Sequence, residues 1–235
     1  MHKGTLYLIP ATLSDGPVAS VLPEGTLATI RKLDCFIVEE IRSARRFLIK
    51  AGLEKPIDEL SFKVFNEHSG QDELFDYLND AMNGKDIGLL SEAGVPCVAD
   101  PGSLIVRSAH ELGIRVVPLT GPSSLLLALM ASGFNGQNFV FHGYLPVDKG
   151  LRIKKIREID RLLRDKDQTQ IFIETPYRNL QMFESLVNGC NPDTMLCLAT
   201  DVSGPSESIR SMRLGEWKKQ KPDINKKPTV FLLYR

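Results

Sequence analysis

The sequence is poor in the residues that build metal and disulfide sites. Its four cysteines, at positions 35, 97, 190 and 197, form no C-x-x-C pair, and its four histidines stand apart from one another. That spacing argues against a zinc site and offers no disulfide framework, so no metal is expected. Long apolar runs are missing as well. The longest, Leu125 to Ala131, is seven residues, far below the roughly 18 that a membrane span needs, and it reads as a buried helix. Met1-His2-Lys3-Gly4 leads into a strand-like run and not into a cleavable signal peptide. The expectation is a cytoplasmic chain with no membrane partner. Excess charge of one sign is also absent: 29 basic residues balance 29 acidic ones. This weighs against coating nucleic acid by bulk electrostatics and leaves only local basic patches.

What is present is an ordinary globular composition, 43% hydrophobic and 25% charged, in a length that allows one or two domains. The first half alternates strand and helix. Apolar runs at Thr5–Pro10, Cys35–Glu39, Leu60–Phe65, Ile87–Leu90 and Val116–Leu119 predict strands of a mainly parallel sheet covered on both faces. Ser69 and Asp72 read as a capping pair for a helix with an apolar stripe through Leu74, Phe75, Leu78, Ala81 and Met82. Beyond about residue 118 come a strand at Phe139–Tyr144, a charged helix over about 150–166, and strands at Gln170–Glu174, Met195–Asp201, Ser208–Leu214 and Thr229–Tyr234. Consecutive strands near the end predict a mixed second sheet. The fold class is therefore α/β with two α/β domains, 1–118 and 119–235, and the cleft between them is the default ligand site.

Two loops stand out. Leu90 runs into Ser91-Glu92-Ala93-Gly94-Val95-Pro96-Cys97-Val98-Ala99-Asp100-Pro101-Gly102, with a helix starting near Ser103. Glycine lets backbone approach a ligand and proline stiffens the loop; a tight strand-to-helix connection explains the same residues. Val116-Val117-Pro118-Leu119-Thr120-Gly121-Pro122-Ser123-Ser124 is again strand, glycine turn and helix start. Free N–H groups at a helix N-terminus attract carboxylates, and simple capping by Ser123 is the plainer account.

These stretches, with Phe139-Val-Phe-His-Gly-Tyr-Leu-Pro146 and Ile171-Phe-Ile-Glu-Thr-Pro-Tyr-Arg178 in the same order, resemble the tetrapyrrole-methylase superfamily. The likeness is to its branch that methylates the 2′-hydroxyl of a cytidine ribose in small-subunit ribosomal RNA. It runs over nearly the whole chain, in a form that stops at Arg235 where longer members continue. The resemblance implies an S-adenosylmethionine-dependent methyltransferase, two α/β domains with the cofactor in their cleft, and a homodimer. It implies cofactor contacts from Ala93, Gly94, Val98, Ser123, Ser124, Glu174 and Thr175, with Ala199 and Pro228 at further contact positions. Two stretches depart from the branch: Ile9-Pro-Ala-Thr-Leu-Ser-Asp15 stands where it has Thr-Pro-Ile-Gly-Asn, and Glu39-Glu40-Ile41-Arg42 where it has Glu-Asp-Thr-Arg.

Methyl transfer from a sulfonium needs alignment more than it needs a metal, and a ribose hydroxyl benefits from a positioned base. Candidates for that base are Glu67, His68, Glu92 and Asp100, with Glu39 beside them; capping and solvation explain most of these equally well. Lys149, Arg152, Lys154, Lys155, Arg157, Arg161, Arg164 and Lys166 make one helix basic, and Lys218, Lys219, Lys221, Lys226 and Lys227 form a second cluster. Either is a solvated face or a surface that tracks phosphates. Three functions stay open: RNA ribose methylation as part of rRNA processing, carbon methylation of a tetrapyrrole, and cofactor binding without catalysis.

Overall fold

The computed structural model describes residues 2–53, 55–70 and 74–235, with the side chain of Arg164 left aside. The chain divides into two compact units, Met1–Ser123 and Ser124–Arg235.

In the first unit, strands β1 (Thr5–Ile9), β2 (Cys35–Val38), β3 (Ser61–Val64), β4 (Ile87–Leu90) and β5 (Arg115–Pro118) form one sheet in the order β3-β2-β4-β1-β5. Every pairing is parallel. Successive side chains of a strand point to opposite faces, and here both faces are covered. Phe36 and Val38 of β2 enter one apolar cluster with Phe47 and Leu48 of α2 (Ile41–Lys50), while Cys35 and Ile37 enter another with Ile105 and Ala109 of α5 (Ser103–Glu111). A continuous apolar strand is the sequence consequence of that double burial. The stretch after β1 holds α1 (Glu24–Ile30). The striped helix expected after β3 is divided into α3 (Leu74–Tyr77) and α4 (Asn79–Met82), broken at Leu78. Leu78 and Ala81 are buried as expected, but Phe75 is half-exposed. Asn79 donates through Nδ2 to Asp76 Oδ1 across the break, and Asn83 Nδ2 donates to the Asn79 carbonyl at the end of α4. Asp72, half of the expected capping pair, lies outside the described residues.

The second unit begins with α6 (Ser124–Ser132) and contains β6 (Phe139–Tyr144), α7 (Lys149–Asp165), β7 (Thr169–Ile173), α8 (Asn179–Gly189), β8 (Met195–Thr200), β9 (Ser208–Arg213), α9 (Leu214–Trp217) and β10 (Thr229–Tyr234). Its sheet runs β6-β7-β10-β8-β9. Only β6 and β7 are parallel; β10 is antiparallel to β7 and β8, and β8 to β9. Phe172 and Phe231 stack at 5.6 Å across the central pair, and Trp217 donates its indole N–H to the Leu196 carbonyl at 2.9 Å. The helix expected to be buried all round is not. α6 packs against β8, β9 and β10 through Ala128 and Leu129, leaving Leu126 and Met130 exposed. One helix face suffices to cover a sheet, so an apolar opposite face does not by itself imply burial.

Helix α7 also departs from a uniformly basic surface. Asp148 caps it by accepting from Leu151 N–H at 2.8 Å. Arg152 is buried, its guanidinium donating to Ser185 Oγ and the Val147 carbonyl. It is a structural arginine, and Lys155 is paired with Glu158 at 3.0 Å.

Gly121 shows how tightly the first unit closes around its strand ends. A β-carbon there would lie 2.2 Å from Cγ of Pro10 and 2.8 Å from Leu22 Cδ2. Gly121→Ala is accordingly expected to lower the urea midpoint by the equivalent of about 1–3 kcal/mol, the range for overpacking. An unchanged midpoint would show that the Pro10 loop yields freely.

Candidate functional site

Ligands of parallel α/β sheets bind beyond the carboxyl ends of the strands, and the first unit gathers its irregular backbone there. The two motif loops leave strands that are not neighbours, since β1 lies between β4 and β5. They meet all the same, above β1. The Ala11 N–H donates to the Gly94 carbonyl at 2.8 Å, forming an isolated bridge. Thr26 Oγ1 donates to the Thr120 carbonyl at 2.9 Å from the other side.

The loop after β4 is held in a strained shape. Gly94 has φ +71°, and two residues with side chains, Cys97 and Ala99, have φ +68° and +64°. Non-glycine residues in this region carry a cost of about 1–3 kcal/mol each and persist only where surroundings impose them. Asp100 imposes it here: its carboxylate accepts from Cys97 N–H and from Gly102 N–H, both at 2.8 Å. Burial raises the Asp100 pKa while those two bonds oppose the rise, and burial pushes the Cys97 thiol up to about 12. Asp100 thus holds the loop, a role that accounts fully for its position.

A hollow of about 210 Å³ opens at the ends of β1, β2 and β4. Thr12, Glu39, Ser43, Arg46, Phe47 and Glu92 line it. Ala11, Thr12 and Asp15 line the same hollow as Glu39 and Glu40, so both stretches that depart from the family pattern converge on one place. Glu39 is half-buried, and its Oε1 accepts from Glu92 N–H at 3.3 Å. Burial raises its pKa; the Glu92 N–H opposes this, and the charges of Asp100 and Glu92 add to it. Glu92 is exposed and accepts from Ser43 Oγ at 2.6 Å. Glu40 is occupied as the N-cap of α2, accepting from Arg42 and Ser43 N–H, which lower its pKa. Glu67 and His68 are exposed and face each other at 3.6 Å in the loop after β3, outside this hollow's lining. Ala93 and Val98 are exposed on the strained loop, Gly94 is buried within it, and Ser123 ends the first unit.

In the second unit, Ser124 opens α6. Glu174 follows β7 with its side chain 1% exposed. Its Oε1 accepts from Thr175 N–H at 2.7 Å and from Arg178 Nε and Nη2 at 3.0 and 2.7 Å. Its Oε2 is buried and has no hydrogen-bond partner among the described residues. A carboxylate oxygen left so costs at least about 1–3 kcal/mol, which a donor from a ligand would recover. Pro228 is exposed, and its carbonyl accepts from Asp201 N–H at 2.8 Å. Ala199 lies within β8 opposite Val230 and is buried. Among the described residues no group of histidine, cysteine, aspartate or glutamate side chains could hold a metal ion, and no helix is long and apolar enough to cross a membrane.

A β-carbon at Gly94 would lie 3.1 Å from Leu13 Cδ2 and 3.5 Å from the Pro122 carbonyl oxygen. Gly94→Val therefore acts through three loops at once. The urea midpoint should fall by the equivalent of about 1–3 kcal/mol, and calorimetry should show S-adenosylmethionine binding lost or greatly weakened. Retained stability and retained binding together would take Gly94 out of the site.

Comparison with known proteins identifies the family. The chain is 30% identical over 216 residues to ribosomal RNA small subunit methyltransferase I of Pseudomonas aeruginosa, covering 92% of this chain and 72% of the relative. It is 29% identical to the protein of that name from Haemophilus influenzae over 98% of this chain and 78% of the relative. Among solved structures, the methyltransferase CobJ superposes with a TM-score of 0.65 at 19% identity over 99% of this chain and 94% of its own. Diphthine synthase does so with a TM-score of 0.65 at 17% identity, over 98% and 90%. At such identities the structures speak for the fold alone. The family described as Tetrapyrrole (Corrin/Porphyrin) Methylases matches residues 21–217, and the chain belongs to it.

Proposed function

We propose that this methyltransferase transfers a methyl group from S-adenosylmethionine to a ribose 2′-hydroxyl of small-subunit ribosomal RNA. The observation that carries the acceptor is the similarity, over more than nine-tenths of the chain, to relatives named for methylation of that RNA. We infer further that it works as a homodimer, as the family resemblance implies, and in the cytoplasm, as the lack of a signal-peptide pattern and of long apolar runs suggests.

The residues fit the cofactor. Ala93, Gly94, Val98 and Ser123 of the first unit, and Ser124, Glu174, Thr175 and Pro228 of the second, are the residues we assign to hold it. The unpartnered Oε2 of Glu174 suits a hydroxyl or amine donor, and the left-handed Gly94 turn brings backbone where a side chain would interfere. When bound, the cofactor supplies an electrophilic methyl on a sulfonium.

The chain's own task is to orient the acceptor and take its proton. We assign the base to Glu39, with Glu92 positioning it through its backbone N–H. A half-buried carboxylate whose pKa burial has raised is a better proton acceptor than a solvated one. Of the other carboxylates, Asp100 is committed to its loop and Glu67 faces His68 in solvent.

Two measurements test this. Small-subunit particles lacking the modification, mixed with the pure protein and methyl-labelled cofactor, should gain label in RNA at a ribose hydroxyl. Label appearing only in an added tetrapyrrole, or cofactor binding with no transfer, would overturn the acceptor. Glu39→Gln should lower kcat by about 10²–10⁴ with cofactor affinity retained. Because Glu39 must be ionised to act and its pKa is raised, the wild-type rate should fall away on the acid side from a pH above the ordinary glutamate range. A Gln variant of full activity would move the base elsewhere.

A further inference from the structure

Tyr177 presents its ring to solvent, 76% exposed, in the short turn Pro176–Arg178. A single exposed aromatic residue is ordinary on a protein surface. What sets this one apart is how firmly it is mounted and what stands beside it.

Three sets of bonds fix the turn. Glu174 accepts from both Thr175 and Arg178, so a buried carboxylate clamps the chain on either side of the ring. Arg178 N–H donates to the Thr175 carbonyl at 2.9 Å. Asn179, fully buried, donates through Nδ2 to the carbonyls of Ile224 and Lys227 at 3.1 and 2.7 Å. This last pair ties the turn to the loop before β10. Lys226 sits in that loop with φ +57°, its N–H donating to the Pro176 carbonyl at 3.1 Å. Its Nζ lies 6.0 Å from the centre of the Tyr177 ring. Tyr144, at the end of β6, is also exposed.

A rigid, exposed ring with an ammonium group 6.0 Å over its centre is an arrangement that holds unpaired nucleotides: a base stacks on the open side of the ring while the cation meets the phosphate. Duplex RNA hides its base faces and cannot use such a ring. We propose that Tyr177 and Lys226 form a stacking platform for an unpaired base of the RNA substrate. The proposal rests on the RNA reading above and deepens it: the bound strand is single-stranded beside the second unit. It also gives Lys226, one of the second lysine cluster, a task.

The test measures binding of a fluorescein-labelled unpaired oligoribonucleotide of about a dozen nucleotides, and of the same strand in a duplex, across a salt titration. Wild-type protein should prefer the unpaired strand. Tyr177→Ala should weaken that binding by about tenfold, and Tyr177→Phe, which keeps the π-face, should restore it. Lys226→Gln should flatten the salt dependence by about 0.7 in slope, the value for one phosphate of a single strand. Cofactor affinity and oligomeric state should stay at wild-type values in all three. Unchanged RNA affinity in Tyr177→Ala overturns the platform while leaving RNA methylation standing. Loss of cofactor binding would reassign the ring to the cofactor's adenine, and loss of self-association would reassign it to a contact with a second copy; either overturns the proposal. Wild-type protein that neither binds the strand nor labels small-subunit particles overturns the RNA reading with it.

Discussion

One backbone hydrogen bond, from Ala11 N–H to the Gly94 carbonyl, organises the carboxyl edge of the first sheet. It joins the loop after β1 to the loop after β4, two segments about eighty residues apart in the chain. The bond requires close approach, and the approach explains the residue types. Gly94 turns left-handed so that its carbonyl can face Ala11, and Gly121 lacks a side chain because Pro10 occupies the space one would fill. Loosening any of these three loops would loosen the others, since each is packed on β1.

The carboxylates around this edge divide by their partners. Asp100 and Glu40 accept from two backbone N–H groups each, which is what a loop-holding or helix-capping carboxylate does. Glu39 has one long backbone bond and partial burial, a combination that keeps an oxygen available. Glu174, in the second unit, is the extreme case, with one oxygen serving three donors and the other serving none. Chemistry is best sought where a carboxylate's hydrogen-bonding capacity is unspent, because a polar atom buried without a partner persists only against a steady cost.

The second unit shows the same economy in its cations. Arg152 and Arg178 are consumed by structure, one behind α7 and the other against Glu174. Lys226 is left beside an aromatic ring, in a loop that Asn179 and Pro176 hold in place. A count of basic residues along a helix therefore says less about a nucleic-acid surface than the partners each side chain has already found.

The sequence by itself determined the class of the fold. Continuous apolar runs such as Ile87–Leu90 suit strands covered on both faces, and glycine–proline loops at their ends mark where backbone turns sharply; both signals are local. It misjudged what depends on neighbours distant in the chain. The strand order that puts β1 between β4 and β5, the exposed face of α6, the break at Leu78 and the burial of Arg152 arise from packing between segments that local patterns do not see. Only the tertiary structure decided which of several equivalent carboxylates is free. An aspartate reads the same in sequence whether two N–H groups hold it or none does, and that difference is set by backbone donors brought to it by the fold.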